Sequence, residues 1–175
     1  HGSILMLVDA DKYPSIKESL TYFLKEHHLL AGVSRNFSNI LELKHYFNQA
    51  VNTLQIGVRL NLPASIFEHN DLYVYDLLTL AEKENCLKDY CSAKIMNVIQ
   101  QDLKNNTEYY KTTYEYLLLG RSLAAAAQKL FIHRNTVKYR VDQFCQLTGL
   151  DLSNPETILQ ILLTNKCLQL LHVNF

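Results

Sequence analysis

The sequence predicts an α/β portion in the N-terminal half of the chain and an all-α portion after it. Two observations support this mixed α+β fold class. Before about residue 70, short continuous apolar runs alternate with longer segments whose apolar residues recur every three or four positions, as in strands that alternate with helices. After Asp71 only the helical spacing remains. The 175 residues suit one or two small domains, and a hydrophobic content of 48% is enough for packed cores.

Three strands and two helices are predicted in the N-terminal half. In chain order they are a strand at 4–8, a helix from Pro14 to about Glu26, a strand at 29–33, a helix from the N-cap Ser38 to about Leu60 and a weaker strand at 65–68. The second helix has an apolar stripe of Leu43, Phe47, Ala50, Leu54 and Val58. Because three strands make a thin sheet, we expect earlier strands to be missing. His1-Gly2-Ser3 resembles a tag remnant.

The second half is predicted to be helical throughout. Helices are expected at about 91–103 and 107–119, and Gly120 suits the end of the latter. Residues 82–85 form a polar break, which we take as the domain boundary. The predicted divisions are a tag remnant at 1–3, an α/β domain at 4–81, a helical linker at 82–106 and a helical domain at 107–175.

Residues 122–148 have the pattern of two short helices joined by a tight turn. Ser122 can cap the first helix, and residues 124–127 are four consecutive alanines, whose small side chains let another helix cross closely. The first helix breaks at 131–133, and the second begins near Arg134. The buried stripe of the second helix is Val137, Val141 and Phe144. This spacing predicts a helix-turn-helix.

The exposed face of this second helix carries side chains that suit duplex DNA. On a helical wheel, Asn135 and Tyr139 lie opposite the apolar stripe. Asn pairs with adenine edges, Arg pairs with guanine, and Thr suits a thymine methyl or a phosphate. We therefore predict that residues 134–146 enter the major groove. The candidate DNA-binding residues are His133, Arg134, Asn135, Thr136, Lys138, Tyr139 and Arg140.

Three of these residues have a structural alternative that the sequence leaves open. His133 can cap the second helix instead of contacting a base. Tyr139 can pack against its neighbours or touch a phosphate, and Arg140 can form a salt bridge within the domain.

The net charge of zero hides an uneven distribution. Residues 104–150 contain seven Lys or Arg and three Asp or Glu, a net charge of +4, whereas residues 1–103 carry −3 and residues 151–175 carry −1. A basic segment attracts phosphates. Because +4 is a modest charge, we expect two subunits to share one DNA site.

The stretch His133-Arg134-Asn135-Thr136-Val137-Lys138-Tyr139-Arg140 resembles the C-terminal helix-turn-helix of PucR/CdaR-type bacterial transcription regulators, and it meets the family pattern H-R-N-T-hydrophobic-x-Y-R in full. The family's lead-in T-x-x-x-Y-L is met by Thr112, Tyr116 and Leu117, with Thr113 where leucine is usual. Upstream, residues 32–37 and the helix with Tyr46, Ala50 and Leu54 resemble the end of the degenerate GGDEF-like domain that precedes this motif in the family.

The resemblance implies a cytoplasmic regulator fragment that binds double-stranded DNA, with a small-molecule effector sensed by upstream parts absent here. A GGDEF-like domain also raises the alternative of diguanylate cyclase activity. That chemistry needs a Gly-Gly turn beside acidic metal ligands. The five glycines are never adjacent and no such acidic cluster occurs, so we predict no enzyme activity and no cofactor.

Composition argues against several other classes. No apolar run reaches the roughly 18 residues of a membrane helix, and no signal peptide opens the chain. The cysteines form no C-x-x-C pair and have no His at zinc-finger spacing, so we expect no metal site and mostly buried, reduced thiols. They are Cys86, Cys91, Cys145 and Cys167.

The last predicted helix bears on oligomerisation. It begins at Ser153-Asn154-Pro155-Glu156, with Ser153 and Glu156 at capping-box spacing and Pro155 in the first turn, and its apolar residues surround the axis almost completely. That pattern predicts burial between elements or in a homodimer.

Two other hypotheses remain beside DNA binding. The first is a non-catalytic module that dimerises or senses a ligand and uses the helices as a scaffold. The second is RNA binding by stacking on the tyrosines at 109, 110, 114 and 116.

Overall fold

The computed structural model describes residues 4–84 and 86–172. The chain divides into two compact units, an N-terminal unit His1–Ala81 and a C-terminal unit Glu82–Phe175. The predicted tag remnant at 1–3 and Asn85 of the predicted polar break lie outside the described residues. Within the described parts the structure is mostly helical with one small sheet, and no helix there is long and apolar enough to cross a membrane.

The N-terminal unit is built around a parallel β-α-β segment. Its elements are α1 (Tyr13–Glu26), β1 (Ala31–Val33), α2 (Leu43–Arg59), β2 (Ile66–Glu68) and the start of α3 (His69–Glu84). Strands β1 and β2 pair in parallel with Gly32 opposite Phe67. Parallel pairing requires a crossover, and α2 supplies it.

Two glycines allow α2 to pack tightly against the sheet. A Cβ atom on Gly32 would lie 2.0 Å from the backbone oxygen of Ala50, and one on Gly57 would lie 2.3 Å from the ring of Phe67. Real side chains do not approach other atoms so closely, so the hydrogen of glycine is required at both positions.

The predicted strand at residues 4–8 is wrong. These residues are irregular and mostly exposed, with Ile4 94% accessible. An apolar run becomes a strand only when a neighbouring strand supplies hydrogen-bond partners, and no described residue pairs with this one. The sheet of the described residues therefore has two strands, not three.

The predicted stripe of α2 is partly wrong. Phe47 and Val58 are 37% and 54% exposed. The buried residues of this helix are Thr53, Ile56 and Gly57. The close contacts of α2 with the sheet, at Ala50 against Gly32 and at Gly57 against Phe67, determine which face of the helix turns inward.

Two predicted N-caps are displaced by one residue. Asn39, not Ser38, caps a short 3₁₀ turn that leads into α2, and its side chain accepts a backbone N–H at 3.1 Å. Asn154, not Ser153, caps the last helix, and its side-chain oxygen accepts a hydrogen bond from the Glu156 N–H at 2.9 Å. The side chain of Asn suits an N-cap as well as that of Ser does, so the sequence signal does not separate neighbouring candidates.

The described part of the C-terminal unit has five α-helices, four of which share one core. The helices are α4 (Ala93–Asn105), α5 (Tyr109–Leu118), α6 (Leu123–Leu130), α7 (Arg134–Thr148) and α8 (Pro155–Leu170). The buried cluster shared by α4, α5, α7 and α8 consists of Ile95, Val98, Ile99, Tyr110, Phe144, Ile161 and Leu168. Three of these residues belong to α4, so the predicted linker 82–106 contains a helix of the core.

The last helix, α8, is buried in the single chain. Ile161 and Leu168 are at most 1% exposed, whereas Leu159 is 56% exposed. Packing within one chain thus accounts for most of its apolar residues without a second subunit.

The tyrosine cluster lies largely in the cores of the C-terminal unit. Tyr110 is 1% exposed, and Tyr109 and Tyr114 pack on the same buried cluster. Tyr116 packs on a second, smaller cluster. Stacking on nucleic-acid bases needs an open ring face, so this arrangement does not favour the RNA-binding hypothesis.

The four cysteines are free thiols, but only Cys167 is buried. Burial raises the pKa of the Cys167 thiol to about 12. Cys86 is exposed, and the other two are intermediate. The prediction of mostly buried thiols is therefore correct for one cysteine and wrong for Cys86.

Candidate nucleic-acid interface

Helix α6 begins and packs as its alanines predict. The Ser122 hydroxyl accepts a hydrogen bond from the Ala125 N–H at 3.2 Å and caps the helix. Ala126 is fully buried and lies against Val137 and Val141 of α7. A methyl group at this contact lets α6 and α7 approach closely. The smaller core of the unit lies between these two helices.

The turn between α6 and α7 consists of three residues. Phe131 adopts a left-handed conformation with φ 55°, and the next amide, of Ile132, donates to the Ala127 carbonyl at 3.1 Å. This is the hydrogen-bond pattern of a Schellman helix end. Ile132 packs on the small core, which fixes the turn to the domain.

His133 caps the N-terminus of α7. Its Nδ1 accepts a hydrogen bond from the Asn135 N–H at 3.2 Å, and the ring remains exposed. Of the two roles that the sequence left open, the structure thus shows the capping contact. The cap fixes the start of the helix at Arg134, and it thereby determines which side chains lie on the first turn.

The exposed face of α7 presents three polar side chains near its N-terminus. Arg134, Asn135 and Lys138 are exposed, and their side chains make no hydrogen bond or ion pair with any described residue. Thr136 is intermediate in exposure, while Val137 on the opposite face is fully buried. A helix anchored by its apolar face holds these three polar groups in a defined arrangement.

Arg140 is engaged inside the domain. Its Nη1 lies 2.7 Å from Oε2 of Glu108 and 3.2 Å from the Thr112 hydroxyl. The pKa of the Glu108 carboxyl group is lowered, mainly because Arg140 donates a hydrogen bond to it. The ammonium group of Lys111, with its Nζ 3.4 Å from Oε1 of Glu108, lowers this pKa further. The pair joins α7 to the start of α5.

Tyr139 also contacts α5. Its ring packs edge-on against the ring of Tyr109, with the two ring centroids 6.3 Å apart. A hydrogen bond between the two side chains raises the pKa of the Tyr109 hydroxyl group. The Tyr139 side chain is nevertheless 55% exposed. The candidate residues therefore fall into two sets, one that faces solvent and one that helps to orient α7.

Two residues that matter to this geometry are absent from the predicted set. Asp102 of α4 is 5% exposed and accepts hydrogen bonds from the Tyr109 and Tyr110 amides at 3.1 and 2.8 Å and from the Thr107 hydroxyl. The available signal was its position on the apolar face of α4, three residues after Ile99. Glu108 gave no local signal, because its partner lies 32 residues away.

Two short helices joined by a three-residue turn, with the second helix exposed along a polar face, define a helix-turn-helix domain. Residues 109–166 match the family model described as the PucR C-terminal helix-turn-helix domain. Residues 109–166 are thus similar to the helix-turn-helix domain of PucR-type transcriptional regulators, which confirms the resemblance drawn from the motif at 133–140.

Three curated proteins are similar to the chain. It is 29% identical over 136 residues to the proline-responsive transcriptional activator PutR of Bacillus subtilis, covering 75% of this chain and 32% of that protein. It is 24% identical over 168 residues to the purine catabolism regulatory protein of the same organism, covering 90% and 31%. It is 26% identical over 133 residues to an uncharacterized protein of Haemophilus influenzae, covering 74% and 34%.

The chain spans about a third of the length of these relatives. No solved structure matches it significantly.

Proposed function

We propose that this chain is the C-terminal part of a bacterial transcription regulator that binds double-stranded DNA with α7 in the major groove. The observation that carries the proposal is the set Arg134, Asn135 and Lys138, exposed on the first turns of an anchored helix and with no side-chain partner among the described residues. Exposed donors on one face of a helix suit a ligand rich in acceptors. Duplex DNA offers phosphate oxygens and the acceptors of base edges.

Each candidate residue has a role in this proposal. Asn135 pairs with an adenine edge, Arg134 contacts guanine or phosphate, and Lys138 contacts phosphate. Thr136 contacts a phosphate or a thymine methyl at the edge of the groove. The orienting residues are His133, which caps α7, and Tyr139 and Arg140, which join α7 to α5.

A binding titration tests the proposal. We would select a duplex from a random pool of about 30 base pairs, which holds two half-sites about 34–36 Å apart. Wild type is expected to bind it with a negative slope of log affinity against log salt. The double variant Asn135→Ala/Lys138→Ala should lose at least about tenfold in affinity and show a shallower salt slope, because one base contact and one phosphate contact are removed.

A matched control distinguishes a local contact from the effect of charge. Lys44→Ala removes the same charge from an exposed site on α2, and it should leave affinity and salt slope unchanged. Negligible binding of every duplex by wild type would rule out DNA binding by this chain. That result would favour the alternative, a non-catalytic dimerisation or ligand-sensing module with a helical scaffold.

For the rest of the molecule we propose the organisation that the family resemblance implies. Residues 4–81 are the end of a GGDEF-like α/β domain, a proposal supported by the parallel β1-α2-β2 segment. Residues 107–175 form the DNA-binding domain. A regulator of this type acts in the cytoplasm as a homodimer, and its small-molecule effector is sensed outside this chain.

A further inference from the structure

Phe131 is the most exposed large apolar residue in the part of the C-terminal unit that the structure describes. Its side chain is 95% accessible, although it lies in a short turn between two packed helices. The neighbouring Ile132 is packed on the small core. The ring of Phe131 therefore contributes almost nothing to either core.

The backbone at Phe131 is also unfavourable for a bulky residue. Its φ of 55° lies in the left-handed region, which glycine adopts without strain and side chains with a Cβ adopt at a cost. Glycine would satisfy the Schellman hydrogen bonds of this turn equally well, since they involve only backbone atoms. Phe131 thus combines backbone strain with an exposed apolar surface, and no contact within the described residues compensates for either.

The position of Phe131 points to the ligand that covers it. Three residues of chain extend at most about 11 Å, so the Cα atom of Phe131 lies within that distance of the Cα atom of Arg134 on the first turn of α7. Lys129 and Arg134, both exposed, flank Phe131 along the chain. Phe131 is thus close in the chain to two cations that attract phosphate, at the end of α7 proposed to enter the groove.

We propose that Phe131 packs against the C5-methyl group of a thymine when α7 occupies the major groove. This inference rests on the proposed DNA binding. A phenyl ring has no hydrogen-bonding group, and the thymine methyl is the apolar group that base edges present in the major groove. The contact makes Phe131 a specificity-determining residue that favours thymine at one position of each half-site.

The test compares Phe131→Gly with wild type on versions of the selected duplex that differ at one position of each half-site, which carries either thymine or deoxyuridine, a base that lacks the methyl group. Each thymine position of the half-site is replaced in turn. Wild type should bind the deoxyuridine duplex about fivefold more weakly, the effect expected for losing one buried methyl contact. Phe131→Gly should bind the thymine duplex about fivefold more weakly than wild type and should not distinguish the two duplexes.

Thermal unfolding of the free protein gives an independent readout. Phe131→Gly should raise Tm by about 4 °C, because the strain of the left-handed backbone is relieved and no packing is lost. Leu103→Ala removes an exposed apolar side chain from α4 and should change neither DNA affinity nor the preference for thymine.

Three results would overturn the inference. If Phe131→Gly binds the thymine duplex as tightly as wild type, Phe131 makes no contact, while the proposed DNA binding stands. If wild type does not distinguish the duplexes, the ring does not contact a thymine methyl. A fall in Tm for Phe131→Gly would show that the ring stabilises the fold. Failure of wild type to bind any duplex would instead remove the proposed function itself, and this inference with it.

Discussion

Asp102 holds the start of α5 in place with a single side chain. Its carboxylate is 5% exposed and accepts two backbone amides and one hydroxyl group from the chain that leads into α5. A carboxylate tolerates such burial because these donors replace water. Since Glu108 and Tyr109 stand at the same turn, Asp102 also positions the groups that contact α7.

Asp102→Ala is expected to destabilise the protein by about 2–3 kcal/mol, because it leaves buried amides without an acceptor. Asp102→Asn keeps one carbonyl oxygen and should fall between this variant and wild type. Urea denaturation followed by circular dichroism measures both. The control Asp89→Ala removes an exposed carboxylate and should stay within about 0.5 kcal/mol of wild type. Unchanged stability of Asp102→Ala would contradict the role given to this side chain.

The Glu108–Arg140 ion pair makes stability depend on pH. Because Arg140 lowers the pKa of folded Glu108 below its usual value of 4.5, the stabilisation is complete above that value and is lost as pH falls through the folded-state pKa. The Glu108 side chain is 47% exposed, so solvent screening limits the contribution to under about 1 kcal/mol.

Glu108→Gln should therefore lower Tm slightly at pH 7 and match wild type at pH values where Glu108 is protonated. In a double-mutant cycle, Glu108→Gln should have almost no effect once Arg140→Gln is present. Measurements of Tm across pH for the four proteins provide the check. Equal Tm differences at both ends of the pH range would show that the ion pair is not responsible.

At the scale of elements, the contact between α2 and the sheet depends on Gly32. Gly32→Ala should destabilise the N-terminal unit by at least about 2 kcal/mol, because the new methyl group would meet the backbone of α2 at Ala50, which cannot move as a side chain can. Chemical denaturation measures the effect. Ser65→Ala, beside β2, adds no atoms and is expected to cost little. A Gly32→Ala protein as stable as wild type would show that α2 can shift away from the sheet.

Elements specified by local signals were predictable from the sequence. The Ser122 cap, the apolar stripe of α7 and the break at 131–133 are contained in a few neighbouring residues, and the structure has all three. Residues 4–8 were not predictable in this way, because an apolar run does not reveal whether another strand pairs with it. Caps at Asn39 and Asn154 were missed by one residue for lack of a local distinction between Ser and Asn.

The candidate interface also combines features that local sequence predicts with features that depend on tertiary packing. Helical periodicity alone predicts the exposure of Arg134, Asn135 and Lys138, because it places them away from the buried Val137. The engagement of Arg140 by Glu108 depends on how α5 packs on α7, and periodicity carries no information about that packing. From the sequence, Phe131 is only part of the predicted helix break, since its exposure and its left-handed backbone are visible only in the folded turn.

At the scale of the whole molecule, the charge distribution argues for two subunits. The basic segment 104–150 carries a net charge of +4, which allows few phosphate contacts per chain. Two linked copies bind far more tightly than one, because the second contact becomes intramolecular. Since the inward face of α8 is already buried in the single chain, a dimer must use other surfaces than that face.

We therefore expect light scattering at micromolar concentration to give about twice the 20.2 kDa mass of one chain. Selected duplexes should contain two inverted half-sites, because a twofold dimer reads a palindrome. A monomeric mass both with and without DNA would contradict the dimer.

The hydrogen bonds that join α4, α5 and α7 have a mechanical consequence. Asp102 of α4 accepts hydrogen bonds from backbone amides in the first turn of α5. Glu108, which immediately precedes that helix, accepts a hydrogen bond from Arg140 of α7. A displacement of α4 would therefore change the contacts that orient α7, through these two sets of side-chain hydrogen bonds. The orientation of α7 can thus respond to a change remote from its exposed face, at α4, which α5 separates from the helix-turn-helix in the chain.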